Sequence, residues 1–430
     1  MTIPQTNLKR ILIAGGGFGG IELAKRINKK LFQVVMIDKN NFHTFQPLLY
    51  QVATGGLEPD SIAYPIRKIF SRRKNFIFRM AEAIEVKSDQ HILVTSIGEI
   101  PYDFLVIATG SMTNYFGNDE LQNNAITLKS ITDALDLRSL ILQNFEKMLT
   151  EQTESEQPKY LNIVIAGGGP TGVETAGALA ELKKHVLPND YPELDFNRVN
   201  IHVIEAGEKI LGTMSYQASR KAKEFLQKIG VNVWLKTKVV TYNGNLVTLS
   251  DGQKIDCNIF IWTAGVMGNI IKGISNDLIL KGNRVKVDVY NRLTGYEDIF
   301  IIGDVAAMTD EDGNARENPM VAPAAIQQAK NLARNLNGKK SQWRKFYYRD
   351  LGTMATIGRN KAVADFKIIK LQGIIAWFIW MFVHLMSIVG FRNRLIVFIN
   401  WLWSYLSYDR AIRLIIRPYK KKREAKEEIP

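Results

Sequence analysis

Arg10-Ile11-Leu12-Ile13-Ala14-Gly15-Gly16-Gly17-Phe18-Gly19-Gly20-Ile21-Glu22-Leu23-Ala24 reads as a buried strand, a glycine turn and the start of a helix. Gly15, Gly17 and Gly20 match the G-x-G-x-x-G spacing. In that pattern the first glycine makes the tight turn, the second lets a pyrophosphate reach the backbone, and the third lets the helix pack on the strand. The helix N-terminus then offers free N–H groups to the phosphates. The next strand, Gln33-Val34-Val35-Met36-Ile37, ends in Asp38, 18 residues beyond Gly20. A ribose-binding carboxylate is expected at a separation of about 20. A single such loop is a weak signal.

A second loop, Gly167-Gly168-Gly169-Pro170-Thr171-Gly172, follows 152 residues later. Its strand is Leu161-Asn162-Ile163-Val164-Ile165-Ala166, and Thr175, Ala176, Gly177, Ala178 and Ala180 keep its helix thin enough to press on a sheet. Glu205, ending the strand Asn200-Ile201-His202-Val203-Ile204, is its acidic partner; a Pro188/Pro192 loop accounts for the long 33-residue gap from Gly172. A carboxylate there accepts from the 2′-hydroxyl of NAD and repels the 2′-phosphate of NADP, which favours NADH. The halves also share a closing strand and glycine, Gly110 and Gly265, at 95 and 98 residues from the first glycine of each loop. Such a duplication argues against chance glycine runs. Two dinucleotides held face to face fit an electron-transfer flavoprotein.

Asp298-Ile299-Phe300-Ile301-Ile302 is a further buried-strand pattern, ending in Gly303-Asp304. The expected fold class is therefore α/β, with two Rossmann-like dinucleotide-binding domains, one inserted in the other, and a C-terminal helical membrane-associated region. The boundaries read 1–112 plus 290–340, 113–289, and 341–430. Asp304 stands where a strand gives way to a helix, so it caps that helix, accepts from a ribityl hydroxyl, or both. The polar runs 150–158 and 309–318 read as exposed loops.

The net charge of +14 resembles a nucleic-acid signature, but residues 339–430 carry 19 Lys+Arg against 6 Asp+Glu and hold +13 of it. Trp377, Trp380, Trp401 and Trp403, with Tyr405 and Tyr408, share that tail. Aromatic and basic residues together suit an anionic membrane surface rather than nucleic acid. Residues 371–391 are apolar over 21 positions, long enough to span a bilayer. Residues 395–417 place Asn400, Ser404, Ser407, Arg410, Arg413 and Arg417 as one polar stripe on an apolar helix, the pattern of a helix lying in the interface. Monotopic attachment through 371–423, a true span, and burial of both segments in a homodimer all remain open, with the first favoured. No signal peptide is expected, so attachment is placed at the cytoplasmic face of the cell membrane.

The chain has one cysteine, Cys257, centred in a predicted buried strand, and five histidines without ligand spacing, so no metal site is expected. Chemistry through paired redox cysteines is excluded. A flavin must hand its electrons directly to an acceptor.

The chain resembles the type II NADH dehydrogenases, single-subunit NADH:quinone oxidoreductases that do not pump protons. The resemblance rests on Gly15 to Gly20, Phe45-Gln46-Pro47-Leu48-Leu49-Tyr50-Gln51-Val52-Ala53, Ala108-Thr109-Gly110-Ser111, Gly167 to Glu174, Trp262-Thr263-Ala264-Gly265-Val266, Gly303-Asp304, Ala355-Thr356-Ile357-Gly358-Arg359-Asn360-Lys361 and Gly390-Phe391-Arg392-Asn393-Arg394. It implies non-covalent FAD at Gly15, Gly17, Phe18, Gly20, Asp38, Gln46, Thr109, Gly110 and Asp304. It implies NADH at Gly167, Gly169, Gly172, Glu205, Ala264 and Gly265, and a membrane quinone at Gln51, Ala325 and Gln327. The family's Ala-Gln-x-Ala-x-Gln quinone motif is Ala322-Pro323-Ala324-Ala325-Ile326-Gln327 here; Pro323 removes an amide side chain and a backbone donor. Its other reading is a helix start with proline in the first turn. Glu174 takes the proton-linked or gating role by resemblance; its other reading is an acid stabilised by the helix dipole by about 0.3–1 kcal/mol. Two rival functions are a reductase of a soluble carrier such as a ferredoxin, and a non-catalytic sensor of FAD and NADH.

Overall fold

The computed structural model describes residues 3–151, 157–310, 318–407 and 413–420. Most of the loops expected at 150–158 and 309–318, together with Tyr408, Arg410 and residues 421–423, lie outside the described residues. The chain divides into two compact units, Met1–Thr44 with Ala63–Met112 and Val266–Asp350, and Phe45–Ile62 with Thr113–Gly265 and Leu351–Pro430.

The first unit is built on a parallel five-stranded sheet in the order Ile299–Ile301, Phe104–Ile107, Lys9–Ala14, Phe32–Asp38, Phe76–Met80. Its strands are apolar throughout because both faces are covered. Leu12, Ala14, Val35 and Ile37 enter one core, and Ile11, Ile13, Val34 and Met36 the other. The second core is closed by the Phe18–Arg26 helix through Leu23 and Ala24 and by the Ala322–Asn337 helix through Ala329, Leu332 and Ala333. After Ile299–Ile301 the chain turns at Gly303 into the short strand Ala306–Met308, so Asp304 caps no helix. Its carboxylate accepts from Ser111 Oγ at 2.6 Å.

The second unit repeats the plan with a parallel sheet in the order Val231–Trp234, Asn200–Ile204, Asn162–Ala166, Ile259–Trp262. Cys257 is buried, but it sits between the strands Lys254–Asp256 and Ile259–Trp262 rather than inside one. The small face of the Pro170–His185 helix meets more than the nucleotide sheet. A Cβ on Gly177 would lie 2.7 Å from the Ile357 carbonyl oxygen, in the strand Thr353–Gly358 of a C-terminal antiparallel sheet.

The apolar run 371–391 is not one helix. Its first residues belong to the strand Lys370–Gln372, Gly373 turns with φ 72°, and the helix Ile374–Ser387 has 14 residues. At 1.5 Å per residue that is about 21 Å, against about 30 Å of bilayer hydrocarbon. Gly390, at φ 90°, precedes the helix Phe391–Ser407. Among the described residues no helix is long and apolar enough to cross a membrane. In place of the expected 395–417 helix the described residues show Phe391–Ser407; of its polar stripe Asn400 donates to Glu58, Arg413 and Arg417 beyond that helix pair with Asp190 and Asp136, and Ser407 is exposed. The apolar residues are the exposed ones, among them Phe378, Phe382, Phe391, Leu395, Phe398, Leu402, Trp403 and Leu406.

Candidate functional site

In the first glycine loop Gly15 holds φ 117°, and a Cβ there would lie 2.3 Å from the Ala108 carbonyl oxygen. Gly20 would meet the Gly15 oxygen at 1.9 Å, so helix and turn touch backbone to backbone. Gly17 faces open space, the room a phosphate needs. Asp38 accepts from Gly16 N–H at 2.6 Å and Asn40 N–H at 2.7 Å, and burial raises its pKa. Thr109 Oγ1 donates to the Asn269 carbonyl, and Gly110 turns at φ 72°. His43, which sequence reasoning missed, meets Phe18 edge-on at 5.0 Å, and its Nδ1 lies 3.0 Å from the Gly16 oxygen. Burial pushes its pKa down to about 4, so Nδ1 is the neutral ring's donor. Gln46 is exposed at the start of the turn Gln46–Leu48 and belongs to the second unit.

The second loop copies this geometry. Gly167 has φ 108° and no room for a Cβ beside Ala264, at 2.7 Å; Gly172 would meet the Gly167 oxygen at 1.9 Å; Gly169 is open. Glu205 accepts from Gly168 N–H at 2.7 Å and Gly207 N–H at 2.6 Å. Gly265 makes room for a ring: its Cβ would fall 2.8 Å from Phe116, which is 68% exposed.

Beside this loop the second unit holds a partly open cavity of about 110 Å³. Gln51, Glu174, Thr356, Arg359, Trp380 and Trp401 line it. Glu174 is 7% exposed, and its Oε1 accepts from Thr356 N–H at 3.3 Å. Burial pushes its pKa up to about 8, only partly opposed by the Thr356 hydrogen bond and by the nearby Trp380 indole. That indole N–H lies close enough to favour the charged form, yet makes no hydrogen bond of normal geometry. At neutral pH Glu174 therefore carries a proton. Gln51 accepts from Trp401 Nε1 at 2.7 Å and donates to the Tyr50 hydroxyl at 2.9 Å. His384 stacks on Trp380 at 4.1 Å and bonds the Trp380 carbonyl oxygen through Nδ1 at 2.8 Å; burial holds its pKa near 4. The Arg359 guanidinium lies over the Tyr405 ring at 3.9 Å.

The structure thus brings Gln51 and Glu174 together, while Ala325 and Gln327 belong to the first unit. There Pro323 occupies the first turn of the Ala322–Asn337 helix, and both ends of the Gln327 amide bond the Arg349 backbone, at 2.9 and 3.0 Å. Two of the tryptophans expected at a membrane surface, Trp380 and Trp401, are buried against the cavity instead, because each lies on the helix face that packs inward.

Residues 9–329 match the pyridine nucleotide-disulphide oxidoreductase family, and residues 351–408 match the NDH2 C-terminal domain. A type II NADH:quinone oxidoreductase of Mycobacterium tuberculosis is 32% identical over 94% of this chain and 89% of its own. The chain belongs to the type II NADH:quinone oxidoreductases. An internal alternative NAD(P)H-ubiquinone oxidoreductase of Arabidopsis thaliana mitochondria is 30% identical over 92% of this chain and 84% of its own. The fold is that of the Plasmodium falciparum NDH2 solved in complex with NADH, with a TM-score of 0.87 at 22% identity over 95% of this chain and all of the other. The sulfide:quinone oxidoreductase of Aquifex aeolicus shares it more distantly, with a TM-score of 0.71 at 18% identity over 92% and 95% of the two chains. That enzyme's likeness is one of fold.

Proposed function

We propose that the protein oxidises NADH through a non-covalently bound FAD and reduces a membrane quinone to quinol, without pumping protons. The observation that carries this reading is Glu174 buried in an aromatic cavity, two residues beyond the second nucleotide loop, where burial favours its protonated form. The first loop fits a dinucleotide: Gly17 faces open space, and Asp38 ends its strand tied to the turn. A flavin held there would supply hydride acceptance from NADH and two-electron transfer to quinone. FAD is assigned to Gly15, Gly17, Phe18, Gly20, Asp38, Thr109, Gly110 and Asp304. NADH is assigned to Gly167, Gly169, Gly172, Ala264 and Gly265, with Glu205 favouring it over NADPH.

Quinol formation needs protons as well as electrons. A carboxyl whose pKa is near 8 still holds its proton at neutral pH and can give it up to a quinone oxygen. Thr356 N–H orients it, and the wall of Trp380, Trp401 and Tyr405 suits a flat ring. Gln327 has both ends of its amide held by the Arg349 backbone. Attachment to the membrane is proposed through the exposed apolar faces of Ile374–Ser387 and Phe391–Ser407, as a monotopic protein on the cytoplasmic side.

The test is anaerobic. NADH should bleach the flavin of the purified protein, and menaquinone or ubiquinone analogues should then restore the oxidised spectrum promptly. Slow recovery with every quinone would leave the sensor reading standing. Unchanged location and activity after deletion of 370–430 would favour the soluble-carrier reading.

A further inference from the structure

Arg138 lies in the helix Ile131–Thr150 and is only 4% exposed. Its Nε and Nη1 are buried with no hydrogen-bond partner among the described residues. Burial lowers its pKa, and no neighbouring carboxylate opposes that shift. A guanidinium cannot escape by deprotonation, so a buried one without an acceptor calls for an anion. Arg138 lines a narrow cleft, partly open to solvent, with Thr54, Ile141, Leu142 and Leu182 on its walls and Arg413 as a second cation. Asp190 pairs with Arg413 through Nε at 2.5 Å and Nη2 at 3.1 Å and so orders its guanidinium. The next residues along, Leu414 and Ile416, are exposed.

We propose that this cavity is a phosphate-binding site, with Arg138 as its main ligand and Arg413 as its second. The planar fork of a guanidinium matches phosphate oxygens two at a time. Apolar walls lower the local dielectric and strengthen the attraction. The phosphate comes from an anionic lipid headgroup or from free phosphate; the exposed Leu414 and Ile416 set the cavity beside a surface that suits lipid.

The test uses the full-length, flavin-loaded protein and its Arg138→Gln and Arg138→Met variants. One arm titrates inorganic phosphate against chloride at matched ionic strength. The wild type should gain about 2 °C or more in Tm and the variants nothing. The other arm sediments the protein with phosphatidylcholine vesicles with and without phosphatidylglycerol, where the anionic vesicles should retain the wild type several-fold better than either variant. A response in the first arm assigns free phosphate, and a response in the second alone assigns the lipid. If wild type and variants behave alike in both arms, the site does not exist. Arg138→Met keeps the apolar stem, so the test survives if Arg138→Gln fails to fold.

Discussion

Glu22 and Glu174 hold equivalent positions in the two duplicated loops, each two residues beyond the closing glycine. Glu22 is half-buried, pairs with Arg26 at 2.5 Å and reaches Lys330 at 4.0 Å. Glu174 is buried, bonded to Thr356 N–H and protonated at neutral pH. The loops themselves do not explain this, since their glycines and their acid-to-loop hydrogen bonds match. What differs is the cover. The strand Thr353–Gly358 and the Trp380 side chain close over Glu174, whereas the helix packed against Phe18–Arg26 leaves Glu22 among lysine and arginine. Duplication supplied two nucleotide turns; the C-terminal segment made one of two equivalent carboxyls into an acid poised near physiological pH.

The largest effect expected from breaking that contrast is on the quinone step. Glu174→Gln should slow reoxidation by quinone by about 100-fold or more, within the range of general-acid catalysis, while bleaching by NADH stays close to wild type. Stopped-flow measurement of each half-reaction separates the two.

The glycines should respond alike, because here the loops are the same. Gly20→Ala and Gly172→Ala each put a methyl 1.9 Å from a carbonyl oxygen, and each should cost about 2 kcal/mol or more in urea unfolding. A markedly smaller loss at one of them would show that its loop yields.

Stability against pH carries the same contrast with a definite sign. The folded-state pKa of Glu174 lies above the ordinary 4.5, so the folded chain keeps a proton that the unfolded chain loses. Its contribution is therefore lost progressively as pH rises from about 4.5 to about 8, and levels off above that. Glu174→Gln should flatten that part of the curve, which urea midpoints across the range will read.

A smaller effect is expected at Glu205. Glu205→Ala should cut the preference for NADH over NADPH, read as the ratio of kcat/KM values, by about tenfold, equivalent to about 1.4 kcal/mol. Smallest of all, Glu22→Gln should leave turnover within about twofold and stability within about 0.5 kcal/mol, as for an exposed ion pair.

The architecture was legible because its constraints are local. Gly15, Gly20, Gly167 and Gly172 are required by backbone contacts within one turn, and strands such as Ile11-Leu12-Ile13 advertise burial on both faces. The tail was less so. Its apolar run gives no sign that Leu371 and Gln372 pair with a strand or that Gly373 breaks the helix; those depend on Val363 and Ala364 across the sheet. Trp380 and Trp401 read as interface aromatics because sequence shows an amphipathic ring but not which helix face turns inward. For Glu174 the motif marked the residue, while its raised pKa comes from burial under cover that includes Thr356, 182 residues away. Arg138 gave no signal at all, since an arginine amid apolar helical residues normally reaches for solvent.

The most direct test of the Glu174 assignment is the pH dependence of quinone-driven flavin reoxidation, followed by anaerobic stopped flow in wild type and in Glu174→Gln. The account predicts a wild-type rate that is level below about pH 8 and falls about tenfold per pH unit above it, against a slow, flat profile in the variant. Superimposable profiles, or a variant as fast as wild type at pH 7, would contradict it.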